Sequence, residues 1–118
     1  MSEILNAAKL QFRERMSAPL GRISIPEWTV DGKPAEIFFR PTMNFKQQGE
    51  VLRLASEGKQ AEAVVLTLIF RALDADGKPL FRKVNQTEIL NEMDPDLIGR
   101  IVGEMGGDDL TIEEMEKN

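Results

Sequence analysis

Carboxylates are the side chains of this sequence best suited to ligand or proton chemistry, and their most suggestive grouping is Asp74-Ala75-Asp76-Gly77-Lys78-Pro79. It opens like a calcium-binding loop. The sixth position of such a loop must be glycine and the twelfth a bidentate acid, however, and here they are Pro79 and Asn85. The segment therefore reads as a turn, supported by the same Asp-Gly-Lys-Pro tetrapeptide at Asp31 to Pro34 and Asp76 to Pro79. Other acidic pairs, such as Glu113-Glu114, fall where the sequence offers no surrounding pocket and read as solvation rather than acid-base chemistry. The chain contains no Cys and no His, which removes thiolate nucleophiles, disulfides, the commonest general base and the commonest transition-metal ligand. No catalytic constellation is left, and neither a metal nor a cofactor is expected. The net charge of -5, with no clustered Lys and Arg, argues against nucleic-acid binding. No apolar run is long enough for a membrane span, and the first residues lack a secretory signal, so a cytosolic protein is expected.

The elements around these residues suit one compact domain of 118 residues, 42% of them hydrophobic. Lys59 to Leu73 is apolar nearly all round: Ala61, Val64, Val65, Leu68, Ile69, Ala72 and Leu73 recur at helical spacing, Leu66 and Phe70 widen the stripe, and only Gln60, Thr67 and Arg71 mark a wet edge. That composition predicts a central helix in which Leu68→Ala costs about 2–5 kcal/mol. Before it, Asn44 and Gln47 are spaced as N-cap and N3 of a helix carrying Val51, Leu52 and Ala55, which Gly58 ends. After it, Asn85 is expected to cap a short helix, with Glu88 reaching back and Val84 touching Ile89. Asp94-Pro95 starts a last helix whose face is Leu97, Ile98, Ile101, Val102 and Met105. Gly99 and Gly103 on that helix predict a close approach of another helix or backbone. Upstream, Ile23 and Ile25 are followed by Pro26 to Val30, a turn at Asp31 to Pro34, and Ala35 to Arg40 with strand composition, so a β-hairpin spanning about Glu27 to Arg40 should pack on the helices with Trp28 substantially buried. The predicted class is α+β: a mainly helical single domain, 1–107, followed by a flexible acidic segment, 108–118.

Two apolar features stand at the margin of this core. Ser2 to Met16 forms an amphipathic helix capped by Ser2, with Ile4, Leu5, Ala8, Phe12 and Met16 on one side, set off from the domain by Pro19 and Gly21. Such stripes are usually core, which predicts folding back on its own domain. A helix reaching outward would instead make Ile4, Leu5, Ala8 and Phe12 the candidate residues for partner binding or self-association. Phe38 and Phe39 are consecutive in a strand and face opposite sides, so one of them needs a cover other than the main core.

The order Ile23-Ser24-Ile25-Pro26-Glu27-Trp28, then Ile37-Phe38-Phe39-Arg40, then a helix, then Val64-Val65-Leu66 running into Leu73-Asp74-Ala75-Asp76-Gly77-Lys78-Pro79-Leu80-Phe81, resembles tail assembly chaperones of long-tailed bacteriophages. The match spans about Ile23 to Met105. The resemblance implies a non-enzymatic protein of the host cytoplasm that binds the tape measure protein, helps recruit tail tube subunits, and is absent from the finished virion. It transfers no catalytic residue. Apolar grooves on a small domain suit the exposed stripes of a long helical partner, and an acidic surface keeps a coated assembly soluble. A structural subunit of the tail and a small regulatory adaptor of the bacterial host are the alternatives. Such chaperones are often made in a short form and a frameshifted longer form. The end Glu116-Lys117-Asn118 can be encoded as GAA-AAA-AAC, which contains the slippery run A-AAA-AAC, so the resemblance further implies that this is the short product, with 108–118 as a linker in the longer one.

Overall fold

The computed structural model describes residues 2–106; the acidic segment 108–118 lies outside the described residues. The described chain is α+β and mainly helical, with one antiparallel hairpin near its start. Its order is α1 (Glu3–Met16), β1 (Gly21–Val30), β2 (Lys33–Phe39), α2 (Phe45–Ser56), α3 (Gln60–Arg71), a 3-10 turn (Lys83–Asn85), α4 (Gln86–Glu92) and α5 (Pro95–Met105).

The hairpin begins at Gly21 rather than near Glu27, taking Ile23 and Ile25 into β1. Pro26 does not break the strand, because it sits in a bulge where the register shifts between Ile25 and Thr29 and no ladder N–H is required of it. Asp31 and Gly32 both adopt positive φ, 54° and 76°, which is the backbone of the tight two-residue turn that matches the twist of paired strands. In this register Ile23 faces Ile37, Ile25 faces Ala35 and Gly21 faces Phe39, so one side of the hairpin is apolar. Phe38 falls on the other side and stays half-buried.

That apolar side meets Val65, Leu68, Ile69 and Ala72 of the central segment and Leu97, Ile98, Ile101 and Met105 of α5 in one core. Leu68, Ile101, Ile25 and Ile37 are the most completely buried large side chains. At about 1.5–3 kcal/mol for each fully buried Leu or Ile, this intersection of hairpin, α3 and α5 is where the fold gains most of its stability. Helix α2 packs on α3 but buries no residue completely. Its ends are set locally, by the Asn44–Gln47 capping box and by Gly58 at φ 80°, where Lys59 donates to the Leu54 carbonyl at 2.9 Å and Gly58 to that of Ala55 at 3.1 Å.

Three local expectations are corrected. Helix α3 stops at Arg71, not Leu73: Leu73 and Phe38 exchange both backbone hydrogen bonds, at 2.8 and 2.9 Å, so strand pairing with β2 ends the helix while the Ala72 and Leu73 side chains stay in the core. Asn85 does not cap α4 with its side chain. Its backbone is already helical because of the preceding 3-10 turn, and its Oδ1 accepts from the Arg82 N–H at 2.9 Å, one turn earlier. Val84, 73% exposed, adds no buried staple there. Gly99 and Gly103 lie on the outer face of α5, where a side-chain carbon would meet nothing within 4 Å, so no close approach within the described residues requires them.

Candidate partner-binding face

Helix α1 is specified by its own sequence. The Leu5 N–H donates to the Ser2 hydroxyl oxygen at 3.2 Å, Glu3 sits in the first turn, and Arg13 and Arg15 sit in the last, each complementing the helix dipole. None of its residues is buried. Among the described residues the expected folding back does not bring α1 into the core: none of its residues belongs to the cluster formed by the hairpin, α3, α4 and α5. Of the four candidate residues, Ile4, Leu5 and Ala8 are exposed, Ile4 by 83%, and Phe12 is half-buried. They lie within about one third of the helix circumference at 100° per residue. The structure thus places the four together on one accessible stripe.

Toward the end of α1 the stripe runs into a groove of about 440 Å³ against the start of α2, lined by Phe12, Arg15, Thr42, Met43, Phe45 and Gln48. Phe45 is the first residue of α2 and is 87% exposed. Sequence reasoning passed over it, although a signal was present: its i+3 and i+4 neighbours are Gln48 and Gly49, so no apolar face continues from it along the helix. The first turn of α2 carries no acidic residue and includes Lys46. The groove's lining thus combines the apolar Phe12, Met43 and Phe45 with polar side chains and Arg15.

The elements bordering the groove are held by Arg71, assigned to a wet edge by helical spacing but 5% exposed in the fold. Its Nη1 donates to the Gly106 carbonyl at 3.0 Å, and its Nη2 to the carbonyls of Arg40 at 2.8 Å, Pro41 at 3.1 Å and Met105 at 3.2 Å. One guanidinium therefore caps the end of α5 and fixes the chain as it leaves β2. Arg71 also stands over the Phe39 ring, 5.8 Å from its centre, and that ring occupies the space a side chain at Gly21 would need. Arg40 extends the brace, donating its Nη1 to the Met16 carbonyl at 3.0 Å and so capping the end of α1.

A second groove of about 430 Å³ lies at the hairpin tip, between Trp28, Val30, Ala35, Leu80 and Phe81. Trp28 is half-buried, less covered than its composition predicts, because the bulge lifts it to the rim of the core. The same bulge brings Glu27 to Arg100 of α5 in a two-pronged pair at 2.8 and 3.0 Å. The hydrogen bonds from Arg100 hold the Glu27 carboxyl below the usual glutamate range. At Asp74 to Pro79 the turn is formed as expected: Asp74 Oδ1 accepts from the N–H of Asp76 at 2.8 Å and of Lys78 at 3.0 Å, and Gly77 has φ 83°. That carboxylate is committed to the backbone. Among the described residues no group of three or more acidic side chains could hold a metal ion, and no helix is long and apolar enough to cross a membrane.

Fold and surface together define a small α+β domain that carries an amphipathic helix uncovered by its own core. Among solved structures it is similar to the bacteriophage HK97 tail assembly chaperone, with a TM-score of 0.58 and 16% sequence identity, over 85% of this chain and 91% of that one. No family model and no curated protein matches the sequence. At that identity the likeness is one of fold.

Proposed function

We propose that this chain is a tail assembly chaperone of a long-tailed phage, acting by binding and not by catalysis. The observation that supports it is the fold it shares with the HK97 chaperone. The exposed stripe of Ile4, Leu5, Ala8 and Phe12 adds a docking surface of the right kind. In this reading the stripe covers apolar stretches of the tape measure protein by packing helix against helix, and the coated complex helps recruit tail tube subunits. The net charge of -5 keeps that complex soluble. The protein works in the host cytoplasm and leaves before the particle is complete.

Co-expression with the tape measure protein tests the reading. Wild-type chain should keep the tape measure protein soluble and co-purify with it, and Leu5→Asp combined with Phe12→Asp should lose both effects while staying folded. Mass spectrometry of purified virions gives a second arm. Stoichiometric amounts of this chain in the particle would instead identify a structural tail subunit, and a gene located away from the major tail and tape measure genes would point to a host adaptor.

A further inference from the structure

The groove at the hairpin tip adjoins a stretch of β2 whose outer backbone groups have no pairing partner among the described residues. Successive residues of a strand alternate the edge toward which their N–H and C=O point. Phe38 commits both groups to Leu73, at 2.9 and 2.8 Å, so Phe38, Glu36 and Pro34 point away from β1, while Ile37 and Ala35 point toward it. Beyond Leu73 the chain turns: Asp74 donates its N–H to the Lys78 carbonyl at 2.8 Å, and the turn this closes makes no backbone bond to Glu36. Glu36 therefore presents one donor and one acceptor at the open edge, and Pro34, which lacks an N–H, adds a carbonyl. Beside them lies the groove of about 430 Å³ lined by Trp28, Val30, Ala35, Leu80 and Phe81, with Val30 and Leu80 exposed. Sheets take up extended peptides at such places, main-chain bonds holding the peptide while alternate side chains enter the apolar slot. The chemistry of the peptide follows from β2. A residue opposite Glu36 shares the face of the Glu36 side chain, whose carboxylate is exposed and meets Arg22 at 3.4 Å on the β1 side. A Lys or Arg in that place pairs with it from the open edge, and the next side chain along falls on the face of Ala35 and the groove.

We propose that the edge of β2 at Glu36 takes up an extended segment of a partner protein, antiparallel, whose pattern is Lys or Arg, an apolar residue, any residue but proline, and a second apolar residue. The first residue exchanges both backbone bonds with Glu36 and sets its charge beside the Glu36 carboxylate. The third donates its N–H to the Pro34 carbonyl, and the second and fourth fill the groove against Trp28, Val30 and Leu80. This surface is separate from the α1 stripe and selects a strand in place of a helix. The inference stands apart from the assembly reading, since it is tested on the isolated chain with a peptide.

The probe is the peptide acetyl-Lys-Ile-Thr-Ile-Thr-amide, added at millimolar concentration to the full chain. Trp28 is the one tryptophan of the sequence, so its fluorescence reports on the groove directly. Its emission should shift to the blue, and hydrogen exchange of the Glu36 amide should slow in proportion to the bound fraction, with the Arg22 and Ser24 amides unchanged. Methylating the backbone nitrogen of the peptide's lysine should abolish both changes, because the donor to the Glu36 carbonyl is lost. Replacing that lysine by glutamate should weaken binding about twofold to fivefold, and Glu36→Lys should reverse the preference. Unchanged Trp28 emission and Glu36 exchange overturn the proposal. Equal binding of the methylated peptide overturns the strand pairing, and protection of Arg22 or Ser24 in place of Glu36 overturns the assigned edge. An emission shift that appears on raising the protein concentration without peptide overturns the partner segment, because a second copy then fills the groove.

Discussion

Arg71→Ala is the substitution expected to damage this protein most for a residue that its local sequence places on a wet edge. The guanidinium donates to four carbonyls, those of Arg40, Pro41, Met105 and Gly106, at 2.8 to 3.2 Å. A hydrogen bond from a charged donor contributes about 1.5–3 kcal/mol, but simple addition overstates the loss because carbonyls at half-buried positions rehydrate. Arg40, Pro41 and Gly106 are half-buried, whereas the bond to Met105 is the buried member of the set. One unsatisfied buried carbonyl at about 1–3 kcal/mol, plus the lost charge-assisted bonds and the space left by the stem, gives about 3–5 kcal/mol. That is a large part of the total stability of about 5–15 kcal/mol expected for a single domain. At roughly 4 °C per kcal/mol the thermal midpoint should fall by about 12–20 °C. Urea unfolding followed by Trp28 fluorescence and by circular dichroism measures it. Arg71→Lys should recover only part of the loss, because an ammonium cannot span in one plane the carbonyls that follow β2 and those that end α5. A cost for Arg71→Ala below about 1 kcal/mol, or full recovery by lysine, would refute the brace.

Leu5→Asp combined with Phe12→Asp should change the urea midpoint little, by about 0.5 kcal/mol for each change at an unburied position, whereas ordinary core residues would cost several times more. Gly21→Ala places a methyl against the Phe39 ring and must move it from beneath Arg71, so a loss of about 1–3 kcal/mol is expected by the same denaturation assay, with no loss if the ring swings aside freely. Because the folded-state pKa of Glu27 is depressed, its pairing with Arg100 contributes fully above the ordinary glutamate pKa and is lost as pH falls through the lowered value. An NMR titration should find Glu27 titrating below the usual glutamate range in the wild type and within that range in Arg100→Gln; identical Glu27 midpoints in the two would show that the pair is not kept in solution.

The features legible in the sequence are those decided within a few residues. Ser2 at the start of α1, the Asn44–Gln47 box, Asp94-Pro95 and the Asp31-Gly32 turn all appear as read, because a cap or turn is settled by hydrogen bonds to neighbours at most four positions away. The apolar face of α5 and the buried run of α3 were equally plain, since helical spacing alone selects one side. Spacing could not say which sides find a cover. Arg71 has the same local signature as a solvated arginine, and only carbonyls brought in from β2 and α5 make its position an interior one. Leu73 fits the α3 stripe, yet the free edge of β2 offers it two backbone hydrogen bonds that outcompete another helical turn. The α1 stripe looked like ordinary amphipathic sequence, yet among the described residues neither it nor Phe45 joins the core formed by the hairpin, α3, α4 and α5. Local chemistry therefore determined which elements form, and the finite area of a single core, shared among elements distant in sequence, decided which apolar faces enter it.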